Sequence, residues 1–163
     1  MSTVEHYPEI RSLSPAECEQ LLQQHNVGRL AFTFRDRVDI QPLHYIYDDA
    51  WLYLRTSPGH KLDTVARHPW VAFEVDEVRG PFDWVSVVVY GTVYRIDADS
   101  DAPNPEAEAR AVELLRKVVP EMFTARDPVP HRHVLLRIAI KEVSGRRASP
   151  VWAPAEGRDT MSY

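Results

Sequence analysis

The sequence predicts a mainly β protein, a small antiparallel barrel of about six strands with a few helices at its periphery. About six runs of residues are rich in β-branched and aromatic side chains, as strands are. The helical segments are short and few, and they do not alternate with the strands as they do around parallel sheets. Because closing an antiparallel sheet removes its unpaired edges, a barrel is favoured over an open sheet.

The first third of the chain is predicted to contain one helix and three strands. Ser14-Pro15-Ala16-Glu17 has the form of a capping box, with proline at the first helical position. Apolar residues then follow at helical spacing as far as His25, which indicates an amphipathic helix of about three turns. The three strands are expected at residues 27–34, 38–47 and 51–56, separated by polar turns.

The rest of the chain is predicted to contain three further strands and two helices. A short helix over 60–67 ends at His68-Pro69, because the residue before a proline disfavours helical geometry. The strands are expected at residues 70–75, 84–96 and 134–143, and the second helix at residues 105–119. Gly91, near the middle of the longest strand, is expected to mark a bulge or a close backbone approach.

The composition predicts one ordinary globular domain. The chain has 163 residues, enough to bury a substantial core; the domain is taken as residues 1–149, and the polar tail 150–163 as an arm or partly disordered segment. A formal net charge of −5 argues against nucleic-acid binding, which needs clustered Lys and Arg. The single Cys18 excludes an internal disulfide. No signal peptide and no membrane-spanning apolar run is found, so the chain is expected in the cytoplasm and not in a membrane.

The segment Thr56-Ser57-Pro58-Gly59-His60-Lys61 is a local candidate for a phosphate site. A phosphate needs backbone amides, hydroxyl donors and fixed cations, and the start of a helix supplies free N–H groups and the positive end of its dipole. Thr56, Ser57 and Lys61 would add two hydroxyls and a charge. The residues alone leave an alternative open, in which Ser57 caps the helix, Pro58 takes its first position and Lys61 lies in solvent.

Three histidines are the other candidates for chemistry. His44 lies among apolar residues of a predicted strand, where it either faces a ligand and donates a hydrogen bond or a proton, or is a hydrogen-bonded, half-buried histidine. His131 and His133 would share one face if this segment is a strand, but it could equally be a loop, and no third ligand lies nearby, so no metal site is predicted. No G-x-S-x-G sequence and no paired carboxylates point to hydrolytic chemistry.

Five motifs follow one another along most of the chain: VGRLAF, QPLHYIYDD, LYLRTSPGHKLD, WVAFEVDEV and GPFDWVSVVVYGTV. Each motif is degenerate alone, but their order and spacing resemble the pyridoxamine 5′-phosphate oxidase-like FMN-binding split-barrel superfamily. Within it, the chain looks most like the nitroimidazole-resistance-like (Nim-like) branch.

The resemblance implies a six-stranded antiparallel split barrel that forms a homodimer, with FMN bound at the subunit interface. Four consecutive residues of one strand would lie along the isoalloxazine ring, five residues around the predicted turn would surround the ribityl phosphate, and three residues of a later strand would touch the flavin or its neighbour across the dimer. The implied cofactor-binding set is Pro42, Leu43, His44, Tyr45, Arg55, Thr56, Ser57, His60, Lys61, Trp84, Ser86 and Val87.

The implied function is an FMN-dependent oxidoreductase that reduces a small aromatic or nitro compound with electrons from NAD(P)H or another donor, with His44 as the candidate catalytic residue. Pyridoxamine phosphate oxidases proper carry a C-terminal Arg-x-Glu-x-Trp motif that the tail SPVWAPAEGRD lacks, so vitamin B6 oxidation is not expected. Relatives that use the deazaflavin F420 or heme leave F420 open as an alternative cofactor. The alternative functions are a flavin-binding or storage module without turnover, an F420-dependent reductase of the same fold, and a barrel that binds no cofactor.

Overall fold

The computed structural model describes residues 7–150, which form seven strands and three helices. In chain order the elements are β1 (Glu9–Ser12), α1 (Pro15–Gln24), β2 (Val27–Phe34), β3 (Arg37–Asp48), β4 (Trp51–Thr56), α2 (His60–Arg67), β5 (Trp70–Gly80), β6 (Asp83–Arg95), α3 (Pro105–Leu115) and β7 (Val134–Ser149). The tail predicted as an arm lies outside the described residues from residue 151 onward, and the domain boundary at residue 149 stays a prediction.

The strands form one antiparallel sheet that closes on itself. Their order is β1-β7-β4-β3-β2-β5-β6, and a further pairing of β6 with β7 joins the two ends of the six longer strands. The closing ladder runs from the pair Trp84–Ala148 to the pair Arg95–Leu136. Closure gives each of these strands two hydrogen-bonded neighbours. The predicted mainly β, antiparallel barrel class is therefore confirmed.

The short strand β1 is the one strand that the sequence did not predict. It pairs with the end of β7, from Glu9–Ser149 to Ser12–Arg146, so the described chain has seven strands where six were expected. All four of its residues, Glu-Ile-Arg-Ser, are exposed. A strand without a buried face has no alternation of apolar and polar residues, so no local sequence pattern predicts it.

Two tight turns set the register of the first three long strands. Arg35 and Asp36 both have positive φ angles, as do Asp49 and Ala50. Each pair is the two-residue loop of a hairpin, closed by the pairs Phe34–Arg37 and Asp48–Trp51. Positive φ at both loop positions matches the right-handed twist of the flanking strands.

Helix α1 begins as the sequence predicts. The Ser14 hydroxyl accepts a hydrogen bond from the Glu17 amide at 3.2 Å, and the Glu17 carboxylate accepts one from the Ser14 amide at 2.8 Å. Together these bonds satisfy two amides that a helix start leaves free. Cys18, Leu21 and Leu22 are buried, so this face of the helix covers the barrel interior.

Gly91 lies at an irregularity of the β6–β7 ladder, between residues 90 and 91. A Cβ at this position would lie 2.2 Å from the Ala139 carbonyl oxygen, so only glycine allows the two backbones to approach this closely. The expected bulge and close approach are both found.

Three element ends differ from the predictions. Strands β5 and β7 continue to Gly80 and Ser149, because their neighbours β6 and β1 keep pairing with them there. Helix α3 ends at Leu115 rather than near residue 119. Beyond it, Lys117 and Val118 donate to the carbonyls three residues before them, which tightens the last turn into non-α geometry.

Apolar side chains form two buried clusters. The larger fills the barrel with residues from α1, α2 and the inward faces of the strands, among them Leu30, Phe73 and Leu136. The smaller lies outside the barrel wall, where α3 covers Tyr53 and Leu135 of β4 and β7. Helix α2 lies beside β2, and the chain between β4 and α2 reaches the end of the barrel.

Candidate functional site

A cavity of about 570 Å³ opens at the end of the barrel where β4 leads into α2. The hairpin of β2 and β3 forms one side of it. The turn before α2 and the start of that helix form another, and Arg132, just before β7, completes it. The lining residues are Phe32, Phe34, Arg37, Asp39, Gln41, Pro42, Leu43, Thr56, Ser57, Pro58, Gly59, Lys61 and Arg132.

Lys61 is the buried cation of this cavity. Its side chain is only 6% exposed, and its Nζ atom donates one hydrogen bond, at 2.8 Å, to the Thr56 hydroxyl. An ammonium group has three hydrogens to donate. Burial, and next the positive charge of Arg132, lower the pKa of Lys61 to about 8, while Asp39 acts in the opposite direction. The Lys61 ammonium thus has one acceptor among the described residues for its three hydrogens, and an anion beside it would stabilise its charged form.

The start of α2 contradicts the structural alternative drawn from the sequence. Gly59, not Ser57, precedes the helix; Pro58 lies outside it, and Lys61 is buried rather than in solvent. Gly59 has a φ of 156°, which L-residues rarely adopt, and no side chain caps the helix. The first amides therefore lack a side-chain acceptor at the end where the helix dipole is positive.

Arg55 holds the segment that carries Arg132, although it does not line the cavity itself. Its guanidinium is 3% exposed, pairs with the Asp127 carboxylate, and donates to the backbone carbonyls of Arg132 and Val129. The hydrogen bond from Arg55 is the main reason why the pKa of Asp127 is lowered to about 2. Phe123 stacks on the guanidinium at 5.0 Å. The Arg55 charge is therefore paired with Asp127, while its Nη1 atom is buried and has no hydrogen-bond partner among the described residues.

The apolar wall of the cavity comes from the first hairpin. Phe32 and Leu43 are buried, with their side chains on the inner face of the barrel, while Pro42 is exposed on the rim. The cavity therefore has a cationic end at Lys61 and an apolar wall, an arrangement that binds a ligand with an anionic group and a flat apolar part.

The four predicted ring-contact residues point in two directions, because side chains alternate along a strand. Leu43 and Tyr45 face the barrel interior. Tyr45 is fully buried, donates its hydroxyl to the Leu22 carbonyl at 2.7 Å, and contacts Phe73 edge to face. Burial raises the pKa of the Tyr45 hydroxyl. Pro42 and the half-buried His44 face outward.

His44 lies beside the cavity but is not one of its lining residues. Its ring is half-buried, and burial, followed by the charges of Arg132 and Arg55, lowers the pKa of the imidazole. A neutral imidazole can donate one hydrogen bond and accept another.

Three further predicted residues lie away from the cavity in this chain. Trp84, Ser86 and Val87 belong to β6, where Val87 is buried in the barrel core and the other two are on the outer face. His60 is the first residue of α2, and its side chain is not among those described. Of the twelve predicted cofactor-binding residues, the cavity brings together Pro42, Leu43, Thr56, Ser57 and Lys61.

Sequence reasoning missed Phe32, Phe34, Arg37, Asp39 and Gln41, although a local signal exists. They belong to the hairpin that pairs Phe34 with Arg37 and Phe32 with Asp39, so any ligand at residues 42–43 lies within reach of them. Arg132 has no such signal, because the contact joins residues more than 70 positions apart.

Residues 7–150 contain neither a cluster of metal ligands nor a membrane-spanning helix. No group of three or more His, Cys, Asp or Glu residues between 7 and 150 is placed to hold a metal ion. Within the same range, none of the helices has the length and apolar character needed to cross a membrane.

A closed antiparallel barrel with a cavity at one end, cationic on one side and apolar on another, defines a class of small ligand-binding barrel proteins. The chain belongs to the pyridoxamine 5′-phosphate oxidase family, whose model matches residues 14–147. This family membership confirms the resemblance seen in the sequence motifs.

Individual relatives agree with this assignment. The chain is similar to an FAD-binding protein from Mesorhizobium loti, whose crystal structure shares 34% identity and a TM-score of 0.67 over 86% of this chain and 99% of that chain. An uncharacterized protein of Rhizobium meliloti is 27% identical over 147 residues, which are 85% of this chain and 95% of that protein. A proposed 5-nitroimidazole antibiotic resistance protein from Bacteroides thetaiotaomicron shares the fold, with 18% identity and a TM-score of 0.63 over 91% and 98% of the two chains.

Proposed function

We propose that this protein binds a flavin nucleotide, FMN, in the cavity at the end of the barrel. The observation that carries the proposal is the buried ammonium of Lys61, which has one hydrogen-bond acceptor and lies beside the uncapped start of α2. A phosphate would accept hydrogen bonds from the Lys61 ammonium and from the Thr56 and Ser57 hydroxyls, and the positive charge of Arg132 would attract it. The name of the Mesorhizobium loti relative, an FAD-binding protein, supports a flavin and makes FAD a necessary comparison.

The flat part of the flavin would lie against the hairpin wall. Pro42 and Leu43, together with Phe32, offer apolar surface, and the neighbouring backbone of His44 and Tyr45 would pass along the ring edge. When bound, FMN supplies electron and hydride transfer, which no side chain of this chain provides. The protein would bind the cofactor, orient it and keep water from one side of it.

We propose further that the loaded protein is an oxidoreductase that reduces a small aromatic or nitro compound with electrons from NAD(P)H. His44 would orient that compound or donate a proton to it. The lowered pKa of its imidazole supports a hydrogen-bonding role over that of a standing cation. We expect the protein in the cytoplasm, where reduced nicotinamide is available. A flavin-binding module without turnover is the second candidate, and an F420-dependent reductase is the third.

A homodimer is part of the same proposal, and the outer face of the barrel supports it. One row of side chains crosses four neighbouring strands, from Ile40 through Ala31 and Ala72 to Tyr90. Ile40 is 62% exposed, and Val38 beside it on β3 is 77% exposed. An exposed apolar surface of this kind on a folded chain is typical of a contact with another protein surface. A second copy would also bring Trp84 and Ser86, on the same outer face, near a flavin.

The central experiment measures FMN binding by fluorescence quenching in wild type and in Lys61→Ala. We expect weaker binding in Lys61→Ala and unchanged binding in the matched control Lys117→Ala, whose side chain is exposed near the end of α3. F420 and FAD are titrated beside FMN to identify the cofactor. Unchanged FMN affinity in Lys61→Ala would contradict the phosphate site.

Turnover and assembly are tested separately. Consumption of NAD(P)H with a panel of nitroaromatic acceptors supports the reductase, whereas stoichiometric FMN without turnover supports the module. Light scattering after size exclusion gives the mass of the wild type and of Ile40→Glu. We expect the wild type to be a dimer and Ile40→Glu to be a monomer. Val143 is an exposed apolar residue of β7 outside the row, so the control Val143→Glu should remain a dimer.

A further inference from the structure

A second cavity, of about 550 Å³, lies on the outside of the barrel wall beneath α3. Its floor is formed by Tyr53 of β4 and Arg137 of β7, which are directly paired across the two strands. Helix α3 contributes Glu106, Arg110 and Glu113 to the other side. It shares no lining residue with the cavity at the end of the barrel.

Arg137 is a cation without an anion. Its guanidinium carbon lies 3.8 Å from the centre of the Trp51 ring, so one face of the group is covered by an aromatic surface. Its Nε atom is buried and has no hydrogen-bond partner. Within residues 7–150 the guanidinium makes no side-chain hydrogen bond, and no carboxylate oxygen lies within 4 Å of it. Since a guanidinium has five hydrogens to donate, the Nη hydrogens of Arg137, unlike the buried Nε–H, are open to an external acceptor.

The neighbouring cation of this cavity is already neutralised. Arg110 donates to both carboxylate oxygens of Asp48, at 3.2 and 3.0 Å, and to Glu113 at 3.2 Å. Glu106, by contrast, has no ion pair with any described residue, although it lines the same cavity as Arg137. The cavity therefore holds a guanidinium, Arg137, and an exposed carboxylate, Glu106, and neither has an ion-pair partner among the described residues.

We propose that this cavity binds a small zwitterion, an amino-carboxylate whose carboxylate pairs with Arg137 and whose ammonium faces Glu106. A carboxylate accepts two parallel hydrogen bonds from a guanidinium, and Trp51 fixes the plane in which they form. A simple anion would pair with Arg137 but would be repelled by Glu106, and a simple amine would meet the reverse difficulty. The ligand class thus follows from the two unpaired charges together. The inference is independent of flavin binding, because the two cavities share no residue.

The test uses NMR titration of the full chain with glycine, β-alanine and γ-aminobutyrate, and with butyrate and butylamine as ligands carrying one charge. The Nε–Hε signal of Arg137 and the indole signal of Trp51 report the site directly. We expect saturable shifts of both signals with at least one amino-carboxylate. Its dissociation constant should be at least about tenfold lower than those of butyrate and butylamine, because each would lose one charge-assisted contact.

Three variants complete the experiment. Glu106→Gln and Arg137→Lys should each weaken amino-carboxylate binding about tenfold or more, and the second keeps the charge while losing the paired hydrogen bonds. Glu108→Gln, on the same first turns of α3 but outside this cavity, should bind as wild type does. Absence of shifts with every amino-carboxylate would overturn the proposal, as would equal affinity for butyrate that survives Glu106→Gln. FMN affinity, measured in the same variants, should not change.

Discussion

Replacing Lys61 with methionine separates the effect of its buried charge on folding stability from its effect on FMN binding. Methionine keeps an unbranched stem of similar length but removes the ammonium. In the folded chain the pKa of Lys61 is lowered from 10.5 to about 8, a difference that corresponds to about 3 kcal/mol at 1.36 kcal/mol per unit. Below pH 8 the side chain is protonated in both the folded and the unfolded chain, so folding carries this full cost at neutral pH.

The sign of the stability change follows from that pKa. Between pH 8 and 10.5 the folded chain loses the proton first, so the free energy of unfolding of the wild type should rise across this window. In Lys61→Met this rise should be absent, and at pH 7 the variant should be at least as stable as the wild type without ligand. Urea unfolding at pH 7 and pH 10 measures both effects. A variant clearly less stable than the wild type at pH 7 would refute the assignment of Lys61 as a buried, poorly satisfied cation.

Ligand binding should respond in the opposite direction. Loss of charge-assisted hydrogen bonds, each worth about 1.5–3 kcal/mol, should weaken FMN binding by about 10- to 100-fold in Lys61→Met. Riboflavin, which lacks the phosphate, should bind both proteins alike. In the wild type the FMN affinity should fall as pH rises above 8, because binding favours protonated Lys61, and the variant should not show this dependence. An equal loss for riboflavin and FMN would refute the phosphate contact.

Three further substitutions test the barrel itself, each by urea unfolding. Burial, and then the neighbouring Asp76, raise the pKa of Glu74 to about 7, so wild-type stability should fall as pH rises from 4.5 to 7. Glu74→Gln should remove this fall and be about 1–2 kcal/mol more stable than the wild type at pH 8. This gain is less than the full pKa shift would give, because the Glu74 side chain keeps 28% of its surface exposed. Gly91→Ala should destabilise by about 2 kcal/mol or more, because the new Cβ would meet the Ala139 carbonyl; no measurable loss would contradict the close approach. Tyr45→Phe should cost about 1–3 kcal/mol by leaving a buried carbonyl without its donor, and an equal stability would show that this bond contributes little.

The sequence predicted the features that depend on neighbouring residues. The capping box at Ser14 and Glu17, the hairpin turns and the bulge at Gly91 each need only a few adjacent positions, and all are found. The five motifs added the family, because their order along the chain constrains the fold more than any one of them does. The same motifs led to five of the residues that line the cavity.

The tertiary structure decided what depends on residues far apart in the chain. The local sequence of the turn before α2 is compatible both with a Lys61 side chain in solvent and with a buried one. Burial follows only because the β2–β3 hairpin and the segment at Arg132 close over it. The resemblance placed Arg55 beside the phosphate, and the structure shows that its charge is paired with Asp127, 72 residues away, a contact that no local pattern indicates.

The same limit explains β1 and the second cavity. Strand β1 exists because the end of β7 offers it free hydrogen-bonding groups, and its own exposed residues carry no pattern. Arg137 and Glu106 come to line one cavity only after the sheet has closed and α3 has packed on it. Local hydrogen bonds and hydrophobic periodicity depend on residues that are neighbours in the sequence, whereas the pairing of distant charges depends on closure of the barrel.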